Sequence, residues 1–394
     1  MVGEPVPLSV DPACKYSRSS VRGRRILVLA GLADSLINFR KPLLEAFRAN
    51  GFDIFALAPP ADPEIVEALI RIGVDFRPVR LSRTGMSPLE DVRYYLELRS
   101  RIREIKPDMV FSYTIKPVIY GSLAARACGV KQVVSMITGA GYAFQKATWK
   151  GKAIHEMVRP MYRKALASND AVFFQNRDNL ALFRDEGILG DPRKAVLIPG
   201  TGVDLDHYAT VAPWIRPVTF LLIARLLYDK GIREYVEAAR LLKAGHPEAR
   251  FRLLGPLDPN PMGVSRRVVE EWQREGGIEY LPETRDVRPF LAETSVYVLP
   301  SYHEGMPRTV LEAMSMGRPI VTTDAPGCRE TVVEGENGYL VPIKDSRALS
   351  QAMERFLIDP SLIPAMGDQS RLLAEERFDV RKVNAEILSC LGIL

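Results

Sequence analysis

Four side chains in the second half of the chain, Arg225, Lys230, Glu304 and Glu312, are of the types that hold a charged ligand rich in hydroxyls. Glu304 and Glu312 flank an expected loop-to-helix junction. If the helix starts at Pro307, Glu312 lies roughly 7–8 Å along its axis, at about 1.5 Å per residue. Glu304 stays outside, near the positive end of the helix. The exposed N–H groups between them form an anion site. The order in space is carboxylate, anion site, carboxylate. A sugar, a diphosphate and a ribose present hydroxyls, charge and hydroxyls in the same order. An ionised carboxylate only accepts, so it suits paired hydroxyls. Arg225 and Lys230 follow another expected strand, and Gly231 opens the next helix. Arg225 can grip oxygens bidentately and Lys230 supplies a point charge, which suits a diphosphate. The plainer alternatives are a buried crossover with two solvated glutamates for the first stretch and a solvated strand–helix loop for the second. Finding both stretches at strand ends of one domain favours a ligand.

The elements that must position these groups alternate strand and helix. Tyr297–Thr323 reads as strand, loop, helix, strand: Val296–Leu299 is a β-rich run, Pro307 suits a first helical position, and Gly317 ends the helix. Upstream, strands are expected at 25–30, 54–57, 76–79, 109–112, 132–136, 171–174 and 195–198. Helices are expected at about 35–50, 62–72, 88–105 and 121–128, with Thr114–Pro117 a loop. The pattern restarts with strands at 218–223, 251–254 and 278–281 and a helix at 231–242. Two helices without a strand between them close the chain. Such alternation predicts α/β architecture with a parallel sheet in each of two doubly wound domains. The expected boundaries are a loose tail at 1–21, a first domain at 22–201, a linker at 202–217, a second domain at 218–375 and a final helix at 376–394 that crosses back. Two domains in tandem place a cleft between them.

At 394 residues the chain suits two domains, and 47% hydrophobic with 26% charged residues is ordinary for a globular protein. No apolar run approaches the roughly 20 residues that span a bilayer. The four cysteines are far apart, with no metal-ligand spacing and no disulfide framework, so a reduced cytoplasmic setting is expected. Residues 1–200 carry 30 Lys+Arg against 20 Asp+Glu, whereas the remaining 194 carry 23 against 28. A basic first half suits an anionic partner. No zinc knuckle, aromatic-basic RNA signature or helix-turn-helix is visible, which argues against nucleic acid.

Other motifs are weaker. Gly139-Ala-Gly141 follows a late strand and lacks the third glycine of a dinucleotide fingerprint, which disfavours a nicotinamide dehydrogenase. Asp204-Leu-Asp206 reads as a turn at the domain exit, and no metal is expected. His155, His207 and His246 read as surface or turn residues; His303, beside Glu304, is the one expected near a ligand. Trp149–Leu166 is basic with apolar residues interleaved. Ile154, Met157, Val158, Met161 and Tyr162 share a face there, which suits docking on anionic lipid or packing on the sheet.

Together, Arg225…Lys230, Glu304 and Glu312 with seven residues between, Gly317-Arg-Pro319, Asn337-Gly338, Pro326-Gly-Cys-Arg-Glu330 and Pro199-Gly-Thr-Gly-Val-Asp204 resemble the family 4 retaining glycosyltransferases, from about residue 24 to 375. Tyr113–Gly121, Ile137–Tyr142 and Ser301–Arg308 are similar to a bacterial subgroup acting on undecaprenyl-diphosphate-linked sugars, N-acetylgalactosaminyltransferases among them. The first loop, Gly31–Arg40, lacks the paired glycines common in the family. The resemblance implies a GT-B fold, two Rossmann-like domains facing a cleft, and transfer of an N-acetylhexosamine from a UDP-sugar to a polyprenyl-diphosphate-linked saccharide. Glu304, Arg225 and Lys230 would be catalytic. Glu312, Gly305, Met306, Arg308, Thr309 and His303 would bind the donor. Thr114, Lys116, Gly139 and Gly141 would face the acceptor. No cofactor or metal is implied. The expected setting is peripheral, at the cytoplasmic face of the inner membrane, with anionic lipid met by the basic first domain. The alternatives are a UDP-sugar epimerase of the same fold or a non-catalytic relative that binds UDP-sugar or lipid.

Overall fold

The computed structural model describes residues 23–82, 87–139, 144, 149–260 and 262–394. The expected tail and Gly141 lie outside the described residues, as does the side chain of Trp149. The chain divides into two compact units. One runs to Thr201 and takes back Val383–Leu394; the other is Gly202–Lys382, so 202–217, expected as a linker, is counted with the second unit.

The first unit runs β1 (Arg24–Leu29), α1 (Asp34–Asn38), α2 (Lys41–Ala49), β2 (Phe52–Ala58), α3 (Pro63–Arg71), β3 (Val74–Pro78) and α4 (Pro88–Ile105). It continues through β4 (Met109–Tyr113), α5 (Ser122–Ala127), β5 (Gln132–Ile137), α6 (Trp149–Ala167), β6 (Ala171–Phe174), α7 (Arg177–Asp185) and β7 (Ala195–Leu197). The seven strands form one parallel sheet in the order β3-β2-β1-β4-β5-β6-β7. Runs such as Ile26-Leu27-Val28-Leu29 are apolar throughout because helices cover both faces, and all four are buried.

Four expectations change in this unit. The helix expected over 35–50 is broken at Phe39 and Arg40. Pro42 explains the break: it has no N–H to continue the ladder from Asn38, and its ring would clash with the carbonyl four residues back. The loop expected at Thr114–Pro117 is already helical from Ile115 and continues as a π-helical turn, Pro117–Gly121. The apolar face of α6 is spent on the core. Val158 and Tyr162 are buried, Ile154 and Met161 pack against the same cluster, and Met157 alone of the five is well exposed. That overturns lipid docking through this face. His155, expected at the surface, is 2% exposed and its Nε2 lies 2.7 Å from Glu186 Oε2.

The second unit runs β8 (Thr219–Ile223), α8 (Ile232–Lys243), β9 (Arg250–Leu254), α9 (Arg266–Arg274), β10 (Glu279–Leu281), α10 (Arg288–Ala292), β11 (Val296–Leu299), α11 (Arg308–Ser315) and β12 (Ile320–Thr323). Then come β13 (Gly338–Val341), α12 (Ser346–Ile358), α13 (Leu362–Arg377) and α14 (Val380–Cys390), the last of which continues into the first unit. Its parallel sheet has the order β10-β9-β8-β11-β12-β13. Strand β13 was not expected: it is four residues long and opens on glycine, so it carries little strand signal. Three helices, not two, close the chain. The extra break falls at 359–361, between α12 and α13, whereas the break at Phe378–Asp379, where Asp379 bridges to Val203, lies near the expected start of the final helix.

Candidate active site

In the second unit the strand order reverses between β8 and β11. The crevice outside the carboxyl ends of strands at such a switch is where a doubly wound sheet takes a ligand. The loops after Ile223 and Leu299 flank it. They approach so closely that a Cβ on Gly231, whose φ is +70°, would lie 2.0 Å from the Pro300 carbonyl oxygen. Only glycine fits there. The Tyr302 N–H donates to the Asp229 carbonyl at 2.9 Å, and Ser301 Oγ donates to the same oxygen at 3.3 Å. This pairing places Lys230 Nζ 2.6 Å from Glu304 Oε1, with both side chains 17% exposed. Burial works against the Lys230 charge, but the charge and hydrogen bond of Glu304, aided by Asp229, outweigh it and hold the ammonium above its usual range. The sequence thus separates by 74 residues two groups that the topology joins.

Helix α11 starts one residue later than expected, because Pro307 is its N-cap and Arg308 its first residue. Thr309 Oγ1 meets the Tyr297 hydroxyl of β11 at 2.6 Å and the Ile223 carbonyl of β8 at 3.4 Å. The first turn of the helix is therefore pinned across the switch point. Glu312 is buried in the second turn. Its Oε1 accepts from the Tyr208 hydroxyl at 2.9 Å and from Arg308 Nε at 2.8 Å. Burial raises the Glu312 carboxyl; Arg308 and Tyr208 oppose it without cancelling it. Both donors converge on Oε1, and among the described residues none reaches Oε2.

Arg225 stands apart from this pair. Its side chain is 59% exposed and binds Asp258 Oδ2 at 2.8 Å. Met306 packs partly into the core below α11. Gly305 and His303 are half-buried in the same loop, and the His303 carbonyl accepts from Ser301 Oγ. Asp204 makes a turn: its Oδ1 accepts from the N–H groups of Asp206 and His207.

The first unit has its own switch point between β1 and β4. Thr114 follows β4 there with φ +69°, a conformation costly for a β-branched residue. Its Oγ1 is buried without a hydrogen-bond partner and would touch any Cβ placed on Gly31, at 2.6 Å. Strain of this kind persists where the surroundings impose it, and it concentrates at functional sites. Beside it the Tyr113 hydroxyl meets Ser35 Oγ at 2.8 Å, and buried Arg40 lies over the Tyr113 ring at 4.7 Å. Burial pushes the Tyr113 phenol up to about 12, against the opposing pull of Arg40. Lys116 is ion-paired to Asp91 at 2.7 Å. Gly139 closes the strand end of β5. Sequence reasoning passed over Tyr208, Ser35 and Arg40. Tyr208 sits 104 residues from the carboxylate it holds, in a stretch that reads as a linker.

The fold is matched by known proteins. The family described as "Glycosyl transferase 4-like domain" matches residues 41–201, and "Glycosyl transferases group 1" matches residues 217–359. The chain belongs to these glycosyltransferases and is a hexosyltransferase. It is similar to the N,N'-diacetylbacillosaminyl-diphospho-undecaprenol alpha-1,3-N-acetylgalactosaminyltransferase of Campylobacter jejuni, 26% identical over 86% of this chain and 90% of that one. It is also similar to an Escherichia coli UDP-Gal:alpha-D-GlcNAc-diphosphoundecaprenol alpha-1,3-galactosyltransferase, 25% identical over 76% and 78%. Among solved structures, Anabaena HepE in complex with UDP and glucose superposes with a TM-score of 0.76 at 18% identity, covering 94% of this chain and all of that one. Sucrose-phosphate synthase from Thermosynechococcus elongatus gives 0.77 at 20% identity, over 93% and 98%. At such identities the likeness speaks for the fold, which is GT-B.

Proposed function

We propose that the chain moves an N-acetylhexosamine, GalNAc in the first instance, from a UDP-sugar to a polyprenyl-diphosphate-linked saccharide, with retention, during cell-surface glycan assembly. The observation that carries this reading is the Lys230–Glu304 pair beside the pinned start of α11. The acceptor class is supported by the names of the Campylobacter and Escherichia relatives.

In this reading Glu312 Oε2 accepts from the ribose hydroxyls and Glu304 holds the donor sugar. Lys230, Arg225 and the amides near Thr309 hold the diphosphate, with Arg308 at the same helix end. His303, Gly305 and Met306 line the sugar side. Charge grows on the β-phosphate oxygen as the bond to the sugar C1 breaks. A fixed cation and a helix N-terminus already aimed there lower the barrier. The acceptor hydroxyl bonds C1 from the same face, and its proton passes to the departing phosphate oxygen. Thr114, Lys116 and the glycine loop at Gly139 and Gly141 meet the acceptor. The cations neutralise the diphosphate without a metal, so EDTA is expected to leave turnover unchanged. Among the described residues no helix is long and apolar enough to cross a membrane. The enzyme works at the cytoplasmic face of the inner membrane, peripherally.

The test mixes the protein with a panel of UDP-sugars and an undecaprenyl-diphosphate-linked sugar and follows lipid mass. A gain of one sugar is expected, and K230A and E304A should each lower kcat/KM at least about tenfold, or ~1.4 kcal/mol. Isomerised UDP-sugar with unchanged lipid would instead identify an epimerase, and binding without turnover a non-catalytic relative.

A further inference from the structure

We infer that the outer face of α4 is the surface by which the first unit lies on an anionic bilayer. The inference rests on the reading that the acceptor is carried by a membrane lipid.

Helix α4 shows two faces. Tyr94, Leu98, Ile102 and Ile105 are buried against the sheet. On the opposite side Leu89 is 60% exposed, Val92 54% and Leu96 53%. At 100° per residue these three, with Arg93, Ser100 and Arg103, fall within an arc of about 100°. Three large apolar side chains over two turns form a contiguous stripe, unlike the single exposed residues any surface carries.

Charge selects the occupant. Arg93 and Arg103 are exposed on this arc, and among the described residues neither has an ion-pair partner. The acids nearby are on the flanks and mostly engaged. Glu104 binds Arg77 and Arg101, Asp91 binds Lys116, and Glu97 accepts from the Arg80 N–H. Glu90 lies in the first turn, where the helix dipole favours it. Residues 1–200 as a whole have ten more basic than acidic side chains. A second copy of the chain would set arginine against arginine across a small stripe. Anionic headgroups take the arginines, and the acyl boundary takes the leucines. Helix α6, the basic helix of this unit, exposes among the described residues a single large apolar side chain, Met157.

The experiment is co-sedimentation of the full chain with phosphatidylcholine vesicles with and without phosphatidylglycerol. Wild type is expected to partition onto the anionic vesicles and to be released by salt. L89Q/V92Q/L96Q should weaken that partition roughly tenfold or more. All three side chains are exposed, so folding is not at stake; a thermal melt and UDP-sugar hydrolysis without lipid should match wild type. M157Q, at the exposed apolar residue of α6, should bind like wild type. Wild-type partition by the triple variant overturns the inference. So does loss with M157Q alone, or a wild-type dimer in solution that the triple variant dissociates. If no UDP-sugar yields lipid-linked product yet the triple variant loses vesicle binding, the transferase reading fails and this surface stands. Sugar transfer with undiminished binding of the triple variant gives the converse.

Discussion

Glu312 is held by two donors on one oxygen, and its titration follows from them. Burial raises its carboxyl, so protonation begins at a higher pH than for an exposed glutamate. The protonated form is a poorer acceptor for a pair of ribose hydroxyls. UDP affinity is therefore expected to fall on the acid side earlier than an ordinary carboxylate would allow. The Tyr208 hydroxyl bonds the ionised form and lowers the value. Y208F removes that bond, raises the Glu312 value further and moves the acid limb of UDP binding to higher pH. KM for the donor should rise while kcat at saturating donor stays close to wild type. Calorimetric titration of UDP across pH checks this; an acid limb that stays in place would show that Tyr208 serves packing alone. The glutamate was legible in the sequence through its spacing from Glu304, whereas its tyrosine was not, because no local pattern links side chains 104 residues apart.

Loops, at the scale of elements, do what single residues cannot. Lys230 meets Glu304 because Gly231 lets two strand-end loops touch. G231A puts a methyl against the Pro300 carbonyl at a positive φ, and should cost at least about 1 kcal/mol and displace Lys230. Turnover should fall beyond what the loss of folded protein explains, as active-site titration would show. Thr114 is the opposite case. Its backbone is strained, and T114G relieves the strain, so stability should hold or rise by up to about 1 kcal/mol. Transfer to the acceptor should nonetheless fall, because the buried hydroxyl at the switch point is lost. A variant with lower stability and full transfer would contradict the assignment. Strands β1, β4, β6 and β11 were readable because a parallel sheet buries both faces and leaves continuous apolar runs. Junctions were less so. Pro307 fits a cap or a first helical position equally in sequence, and the helix beginning at Ile115 hides behind a proline that reads as loop. The face that α6 buries was undecidable for the same reason: an amphipathic stripe suits a core as well as a lipid.

At the scale of the whole chain, the two units are not two consecutive pieces. Val383, Ile387, Leu388 and Leu391 are all within 3% of full burial in the core of the first unit, and Gln132 Nε2 donates to the Leu391 carbonyl at 3.2 Å. Burying each such side chain contributes about 1.5–3 kcal/mol, so the four together are worth on the order of 6 kcal/mol even at the low end. A domain of this size is stable by only about 5–15 kcal/mol. Ending the chain at Lys382 should therefore remove most of the margin of the first unit. The residues proposed to hold the donor, Arg225, Lys230, Glu304 and Glu312, with Tyr208 and Arg308, all belong to Gly202–Lys382. The shortened chain is expected to show a lowered, separate melting transition for the first unit while UDP still raises the other transition. Sugar transfer should be lost, since the residues proposed to meet the acceptor are in the unit that unfolds. A single unshifted transition would mean that the last twelve residues lean on the first sheet without holding it together. A loss of UDP response would place part of the donor site outside the second unit, and the roles given to Lys230 and Glu304 would have to be redrawn.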